Sequence, residues 1–270
     1  MAERRGVSRS GRDRGISTLG LLMLAVAACT GGDSDFFPEG TDLPFPVLTT
    51  RHLVVVTEAP DEIQGQLYRM EKMDDGIPGS AGVEGQGSWR QRGFPIPVVV
   101  GRSGVGPKVE GDGRSPEGVF GLGPVFGYSL DVTDGTVCVD DVNSAFYNRI
   151  LDADTLPEAG PGAKDWTSSE SMRRDLSHGD DLYKWGLVVR YNEGGRPGAG
   201  SCIFLHVWRG PDSPTEGCTA MAEDDLRVVL RWLEEGSEGQ PDPLLIQGTR
   251  AYLEGLSSQG VLPYELPRGL

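Results

Sequence analysis

The alternation of apolar and polar positions predicts a chain built mainly from β-strands. Several segments combine runs of β-branched or aliphatic residues with turn-forming residues at their ends, which is the pattern of strands in a sheet. These segments are RHLVVVTEA (51–59), FPIPVVVGRSG (94–104), KWGLVVRYN (184–192), SCIFLHVW (201–208) and DPLLIQG (242–248). The segment IQGQLYRMEKM (63–73) fits either a strand or a short helix.

Helical spacing is confined to short segments. Between about Met221 and Gly236, apolar residues recur at 226, 229, 230 and 233, which places them on one face of a helix. The segment DWTSSESMRRDL (165–176) predicts another short helix. The chain has no internal repeats. This balance of elements predicts a β-rich α+β fold with few short helices, in a single domain over 45–270.

The segment 101–127 is rich in glycine and invites comparison with a phosphate-binding loop. A P-loop needs Gly-Lys-Ser/Thr at the start of a helix, and a dinucleotide site needs its glycines between a strand and a helix. Here Lys108 follows a proline, and the next apolar stretch, GVFGLG, is short and strand-like. We therefore expect no nucleotide, and we interpret the glycines as residues of tight turns and bulges.

The first 28 residues predict a secretory signal peptide that is not part of the fold. Five arginines precede the uncharged run ISTLGLLMLAVAA, which is too short for a comfortable transmembrane helix. The ending Val26-Ala27-Ala28-Cys29 resembles a bacterial lipobox, so we expect a lipid on Cys29. The alternative is an ordinary signal peptide with an incidental cysteine. The small, acidic and proline-bearing stretch 29–44 predicts a flexible linker.

Charge and targeting limit the partners. A formal net charge of −15 argues against nucleic acid and against an anionic membrane surface as binding partners. Contact with a membrane is therefore expected through the N-terminal lipid alone, in the cell envelope. Thr30 follows the expected lipidated cysteine, in place of the aspartate that favours inner-membrane retention in similar lipoproteins. This favours an outer membrane.

His206 and Cys218 have the properties of a catalytic base and its nucleophile. A cysteine reacts as the thiolate, whose formation is favoured by a neighbouring histidine or a helix N-terminus. His206 lies late on an apolar strand, and Cys218 follows Gly217 and directly precedes the predicted helix. Backbone N–H groups at that point could stabilise both the thiolate and a tetrahedral oxyanion. Taken singly, either residue could equally be a buried structural one.

These residues resemble the catalytic domain of the L,D-transpeptidases (YkuD-like). The strand histidine of IFLHV, followed by a proline-bearing loop and by TEGC (215–218), is similar to the family pattern of a histidine and Ser/Thr-His-Gly-Cys. DGRSPEGVFGLG (112–123) is similar to the family's small-Pro-x-Gly element. The chain departs from the family at Glu216, where a histidine is usual, and at Ala220, where an arginine is usual; its His-to-Cys loop is also short.

The resemblance implies a β-sandwich or barrel core and a cysteine acyltransferase without a cofactor. Cys218 would attack a peptidoglycan stem peptide, His206 would carry the proton, and Thr215 and Gly217 would shape the backbone around the oxyanion. A backbone carbonyl, not a carboxylate, would orient the histidine. Two alternatives remain open: a hydrolase on the same scaffold, and a wall-binding lipoprotein without catalysis.

The remaining cysteines admit two interpretations. In an oxidising compartment two of Cys138, Cys202 and Cys218 would pair and leave one thiol free. Cys138 and Cys202 lie on two predicted strands whose geometry allows them to pair, so we hypothesise a Cys138–Cys202 disulfide, which leaves Cys218 free as a nucleophile must be. The rival is a zinc site formed by these three cysteines and His206. Positions 202 and 206 lie about 13 Å apart along one strand, too far to share one ion, so no metal is expected.

Overall fold

The structure, a computed structural model, describes residues 49–73, 88–127, 137–144, 147–151, 181–235 and 242–268. The signal peptide, the lipidation site Cys29, the linker over 29–44 and the helix predicted at 165–176 lie outside these residues, so these four stay predictions. None of the helices in the described ranges has the length and apolar character needed to cross a membrane.

Strands outnumber helices in the described part of the chain, as the sequence predicts, and two α-helices accompany them. The strands are β1 (Arg51–Thr57), β2 (Gln64–Lys72), β3 (Trp89–Gln91), β4 (Ile96–Val99), β5 (Val105–Gly106), β6 (Ser115–Pro116), β7 (Gly118–Gly127), β8 (Val137–Cys138), β9 (Ile150–Leu151), β10 (Trp185–Val189), β11 (Ile203–Val207), β12 (Thr219–Met221) and β13 (Leu244–Thr249). The helices are α1 (Glu223–Glu234) and α2 (Arg250–Ser258). The ambiguous segment 63–73 is therefore a strand.

One mixed sheet closes into a barrel. Its strand order is β1-β13-β7-β10-β11-β12-β4-β2-β3, and β1 also pairs with β2, which joins the two sides of the sheet. Most pairs are antiparallel, but β1–β13 and β11–β12 are parallel. Strands β5 with β6, and β8 with β9, form two small separate ladders. Within the described ranges, strand β3 pairs only with β2 and lies outside the closed ring of strands. The closed sheet confirms the predicted β-rich, barrel-like fold class.

Side chains on both faces of the sheet are buried, because α1 packs on one face, and α2 and a separate cluster of side chains cover different parts of the other. Along β11, Ile203, Leu205 and Val207 belong to the core that contains Leu226 and Val229 of α1. Since side chains alternate along a strand, Phe204 and His206 point to the other face. There Phe204 packs with Tyr183, Cys138, Cys202 and Cys218 in a separate cluster. Helix α2 buries Leu253 and Leu256 against β1 and β13.

The structure corrects the prediction around Cys218. The helix was expected from about Met221, directly after the cysteine, but α1 begins at Glu223, and Thr219–Met221 form β12. All three residues of β12 are buried between β11 and β4. Pairing on both sides therefore outweighs the helical preference of this short segment. The N–H groups of the first helical turn do not adjoin the cysteine, so the expected effect of a helix N-terminus on its thiol is not supported.

His52 on β1 is a buried histidine on the side of the sheet covered by α2. Its ring stacks on Trp89 with ring centroids 4.4 Å apart. Its Nδ1 hydrogen-bonds with the Tyr264 hydroxyl at 2.7 Å, and its Nε2 with the Thr49 hydroxyl at 2.8 Å. Burial lowers the pKa of His52 from 6.5 to about 3. The ring is therefore neutral in the folded protein over the physiological range.

This depressed pKa predicts a loss of stability on mild acidification. The unfolded chain binds a proton at His52 below pH 6.5, whereas the folded chain does not do so until about pH 3. The contribution is fully present above pH 6.5 and is lost as the pH falls. Between pH 7 and pH 5 we expect the free energy of unfolding to decrease by about 2 kcal/mol from this group, measured by urea titration. Carboxylates act mainly below this window.

The matched control is His52→Gln, whose amide can still bond both hydroxyl groups but does not titrate. Its absolute stability will be lower because the stacking on Trp89 is lost. The informative quantity is the slope of the free energy of unfolding against pH between 7 and 5, which should become flatter by that same amount. Parallel curves for the two proteins would show that His52 does not contribute.

Candidate active site

The topology brings Cys218 and His206 to one face of the barrel. Strands β11 and β12 pair in parallel, with His206 opposite Ala220 and Leu205 opposite Thr219. Since Thr219 points into the core, where its hydroxyl donates to Gln247 Oε1 at 2.5 Å, the preceding Cys218 points to the opposite face. This is the face of His206. Both residues line a cavity of about 270 Å³.

The Cys218 thiol is free of any disulfide and lies at the buried end of this cavity. The backbone N–H of Phe204 donates to Cys218 Sγ at 3.4 Å. The sulfur also lies 3.9 Å from the Cys202 carbonyl oxygen, where the thiol proton can be donated. The N–H donor stabilises a charged sulfur, whereas the carbonyl acceptor stabilises the neutral thiol, so the two contacts act in opposite directions.

His206 is held with one ring nitrogen committed. Its Nδ1 lies 2.8 Å from the Val207 carbonyl oxygen. Because a carbonyl oxygen can only accept, Nδ1 carries a proton and donates, so the lone pair of the neutral ring is on Nε2, the nitrogen that can act as a base. The ring also packs beside Tyr183, with centroids 5.2 Å apart. A backbone carbonyl therefore orients this histidine, which is the arrangement that the resemblance leads us to expect.

Two hydroxyl groups fix the backbone of the nucleophile. Ser115 Oγ donates to the Cys218 carbonyl oxygen at 2.8 Å, and Thr215 Oγ1 donates to the same oxygen at 2.6 Å. Ser115 Oγ in turn accepts from the Gly101 N–H at 2.9 Å. The sequence did not indicate this role of Ser115, although the residue belongs to the Ser-Pro-x-Gly element. The short polar side chain is the only local signal of it.

The two residues expected at the oxyanion site, Thr215 and Gly217, both use their backbone N–H groups in hydrogen bonds within the protein. The Thr215 N–H donates to the Val100 carbonyl oxygen at 2.9 Å, and the Gly217 N–H donates to Thr215 Oγ1 at 3.1 Å. Both residues shape the turn that carries Cys218. Their role as oxyanion donors stays a prediction, and it would require these N–H groups to exchange the partners that they have in the structure.

A protein-family model matches the part of the chain that contains this site. Residues 84–246, more than half of the chain, match the L,D-transpeptidase catalytic domain, YkuD. The chain belongs to this family. L,D-transpeptidases of this family are cysteine-dependent and act on peptidoglycan. No curated protein matches the chain. The matched range contains β4 to β12, and hence both residues of the candidate pair.

This L,D-transpeptidase domain contains the disulfide expected from the sequence. Cys138 and Cys202 are joined, with their Cα atoms 6.0 Å apart, and Cys218 is a free buried thiol. The Cys202 N–H donates to Asn148 Oδ1 at 2.7 Å, which fixes the strand entry next to the cavity. The bridge removes two of the four ligands of the alternative zinc site, and among the described residues no cluster of three His, Cys, Asp or Glu side chains could hold a metal.

At the two positions where this L,D-transpeptidase departs from the usual motif, the structure shows different surroundings. Glu216 is 81% exposed and pairs with Arg102, with Nε to Oε2 at 2.7 Å. A pair this exposed contributes little to stability. Ala220 is fully buried opposite His206, so it places no charged group there. The exposed Arg209 lines the cavity from the His-to-Cys loop.

Proposed function

We propose that this protein is an exported cysteine acyltransferase that modifies peptidoglycan stem peptides through an acyl-enzyme on Cys218. The observation that carries the proposal is the state of His206. Its Nδ1–H donates to the Val207 carbonyl, which puts the lone pair of the neutral ring on Nε2, and the residue lies on the face of the barrel where Cys218 lies. A base with the correct tautomer beside a free cysteine is the minimal machinery of thiol-dependent acyl transfer.

In the proposed reaction His206 Nε2 takes the thiol proton, and the Cys218 sulfur attacks the carbonyl at the third residue of a stem tetrapeptide. The C–S bond forms and the peptide bond to the terminal D-alanine breaks. The histidine returns its proton to the leaving amine. An amine of a neighbouring stem then attacks the thioester, loses its own proton to His206, and forms the cross-link as the thiolate leaves.

Export and membrane attachment belong to the same proposal. The predicted signal peptide over 1–28 and a lipid on Cys29 would deliver the domain to the cell envelope, on the periplasmic or outer side. A Cys138–Cys202 disulfide suits an oxidising compartment. The strongly acidic chain suits a partner held by specific contacts in the cavity better than one held by a general attraction to anionic surfaces.

The second candidate is a hydrolase in which water resolves the same acyl-enzyme. Ala220 favours it, because a buried methyl group opposite His206 supplies no cation for the carboxylate of an acceptor stem. Cross-linking then depends on other groups of the cavity to hold the second stem. Water needs no such group.

Product analysis tests the proposal and separates the two outcomes. A purified disaccharide tetrapeptide is incubated with the wild type and with Cys218→Ala, and the products are separated and weighed by mass spectrometry. Cross-linked dimers and free D-alanine from the wild type alone are expected. Trimmed monomers without dimers would establish the hydrolase. Identical mixtures from both proteins would overturn catalysis and leave a wall-binding role.

A further inference from the structure

A buried lysine lies directly behind the turn that carries Cys218. Lys108 comes from the glycine-rich segment, and only 3% of its side chain is exposed. Its Nζ donates to the Arg114 carbonyl oxygen at 2.8 Å and to Asp112 Oδ1 at 3.1 Å. An ammonium group is rarely buried unless it is paired, because removing a charge from water is costly, and here Asp112 and the Arg114 carbonyl provide the pairing. The proposed chemistry has so far made no use of this lysine.

The lysine contacts two glycines that precede residues of the cavity. A Cβ atom added to Gly217 would lie 2.8 Å from Lys108 Nζ, and one added to Gly200 would lie 3.1 Å from its Cδ. Both glycines have positive φ, +150° and +110°. Gly217 precedes Cys218, and Gly200 precedes Ser201, which also lines the cavity. The absence of both side chains lets the lysine approach the backbone on either side.

We propose that Lys108 is a positioning residue for Cys218. Its ammonium group, buried next to Gly217, sets the position of the nucleophile turn and favours the thiolate of the adjoining residue. The inference rests on the proposed function, since it assigns Lys108 a part in activating the same thiol. A cation in a buried site acts over several ångströms with little screening by water.

Among the described residues, several other charged groups lie near the turn that carries Cys218, and their fields add to or oppose that of the buried Lys108. Asp112 opposes its field: the carboxylate pairs with Nζ at 3.1 Å, and the N–H groups of Val109 at 2.8 Å and Arg114 at 2.9 Å hold it in its charged form. Arg102 and Glu216 lie on the exposed side of the turn and pair with each other, where water screens both. Arg209 and His206 act from the cavity side.

The test is the rate of Cys218 alkylation by iodoacetamide as a function of pH, followed on the Cys218 peptide by mass spectrometry in the full chain. Lys108→Met keeps most of the aliphatic stem and removes the charge. We expect alkylation at pH 7 to slow about tenfold and the midpoint of the curve to move up by about one pH unit. At a pH high enough to ionise Cys218 in both the wild type and Lys108→Met, the two proteins should be alkylated at the same rate. If Lys108 acted only through packing, the midpoint would stay unchanged, and the alkylation rate would change by the same factor at every pH or not at all.

Two further variants keep the test decisive. Arg102→Met removes an exposed cation that pairs with Glu216 of the turn, and it should leave the midpoint of the alkylation curve unchanged. Lys108→Met combined with Asp112→Asn removes both buried charges, so it avoids an unpaired buried carboxylate and carries the test if the single variant does not fold. It should slow alkylation at pH 7 by at least about threefold.

The outcomes separate this inference from the proposed function. A low midpoint in the wild type that is unchanged in both lysine variants would overturn the role of Lys108 and leave Cys218 as the activated nucleophile. A wild-type midpoint near that of an ordinary cysteine, about 8.5, would contradict the activation of Cys218 itself. A low wild-type midpoint that rises only in the lysine variants is the expected result.

Discussion

His206→Gln is expected to lower the rate of acyl-enzyme formation by about 10³-fold, within the 10²–10⁴-fold range of a general acid–base residue. Glutamine can still donate to the Val207 carbonyl oxygen that now accepts from Nδ1, so the strand should keep its conformation. It offers no nitrogen lone pair to take the thiol proton. The rate is measured from the mass increase of the protein mixed with an acylating stem-peptide analogue.

The matched control is Ser213→Ala, which changes another residue of the same cavity and should retain the rate within about threefold. Cys218→Ala, alone or combined with His206→Gln, should show no mass increase, because the acyl group is carried by the Cys218 sulfur. If His206→Gln kept more than about a tenth of the wild-type rate, His206 would not be the base.

Removal of the disulfide is expected to have the largest effect on stability. Cys138 and Cys202 are 64 residues apart in the chain, so the bridge closes a long loop in the unfolded state. Loop-closure entropy for this length predicts a loss of about 4 kcal/mol in the free energy of unfolding for Cys138→Ser with Cys202→Ser. Urea unfolding of the purified proteins measures the loss.

The appropriate control is Cys218→Ser, which changes a buried cysteine of the same cluster but leaves the bridge intact. Its free energy of unfolding should stay within about 1 kcal/mol of the wild type. Adding a reductant to the wild type should reproduce the double serine variant and should not affect that variant further. A loss below about 1 kcal/mol in the double variant would mean that the bridge adds little to the folded protein.

Local patterns in the sequence were sufficient for most strands and for one helix face. The apolar spacing at 226, 229, 230 and 233 predicts one side of α1; the structure buries Leu226 and Val229, leaves positions 230 and 233 partly buried, and also buries Trp232, which the spacing did not include. The start of α1 could not be predicted, because Thr219–Met221 become a strand only through pairing with β11 and β4. That pairing depends on residues more than a hundred positions away in the chain, which no local pattern records.

Helix α2 was missed although its signals are present in the sequence. Thr249 caps it by accepting from the Tyr252 N–H, and Leu253 and Leu256 are buried three residues apart. The helix has nine residues and begins at Arg250, directly after β13 ends at Thr249, so no loop in the sequence marks its start. The barrel could be named only through the family resemblance, since closure requires β1 to pair with β2 on one side and with β13 on the other.

The sequence was sufficient to select the candidate pair, His206 and Cys218, but not the residues that surround and hold it. A histidine late on a strand and a cysteine after a glycine carry their chemistry in the sequence. The Val207 carbonyl, the Ser115 hydroxyl and the Lys108 ammonium act through positions that the folded backbone alone creates. Ser115 and Lys108 are ordinary residue types in the glycine-rich segment, and Val207 contributes only a backbone carbonyl, so no local pattern selects any of them.

The most direct measurement is the intact mass of the wild type and of Cys218→Ala after incubation with a carbapenem, which acylates thiols of this family as the donor stem does. The account predicts a single adduct on the wild type, located on the Cys218 peptide, and none on the variant. An unmodified wild type, or an equal adduct on both proteins, would contradict the claim that Cys218 is an activated acyl-accepting thiol.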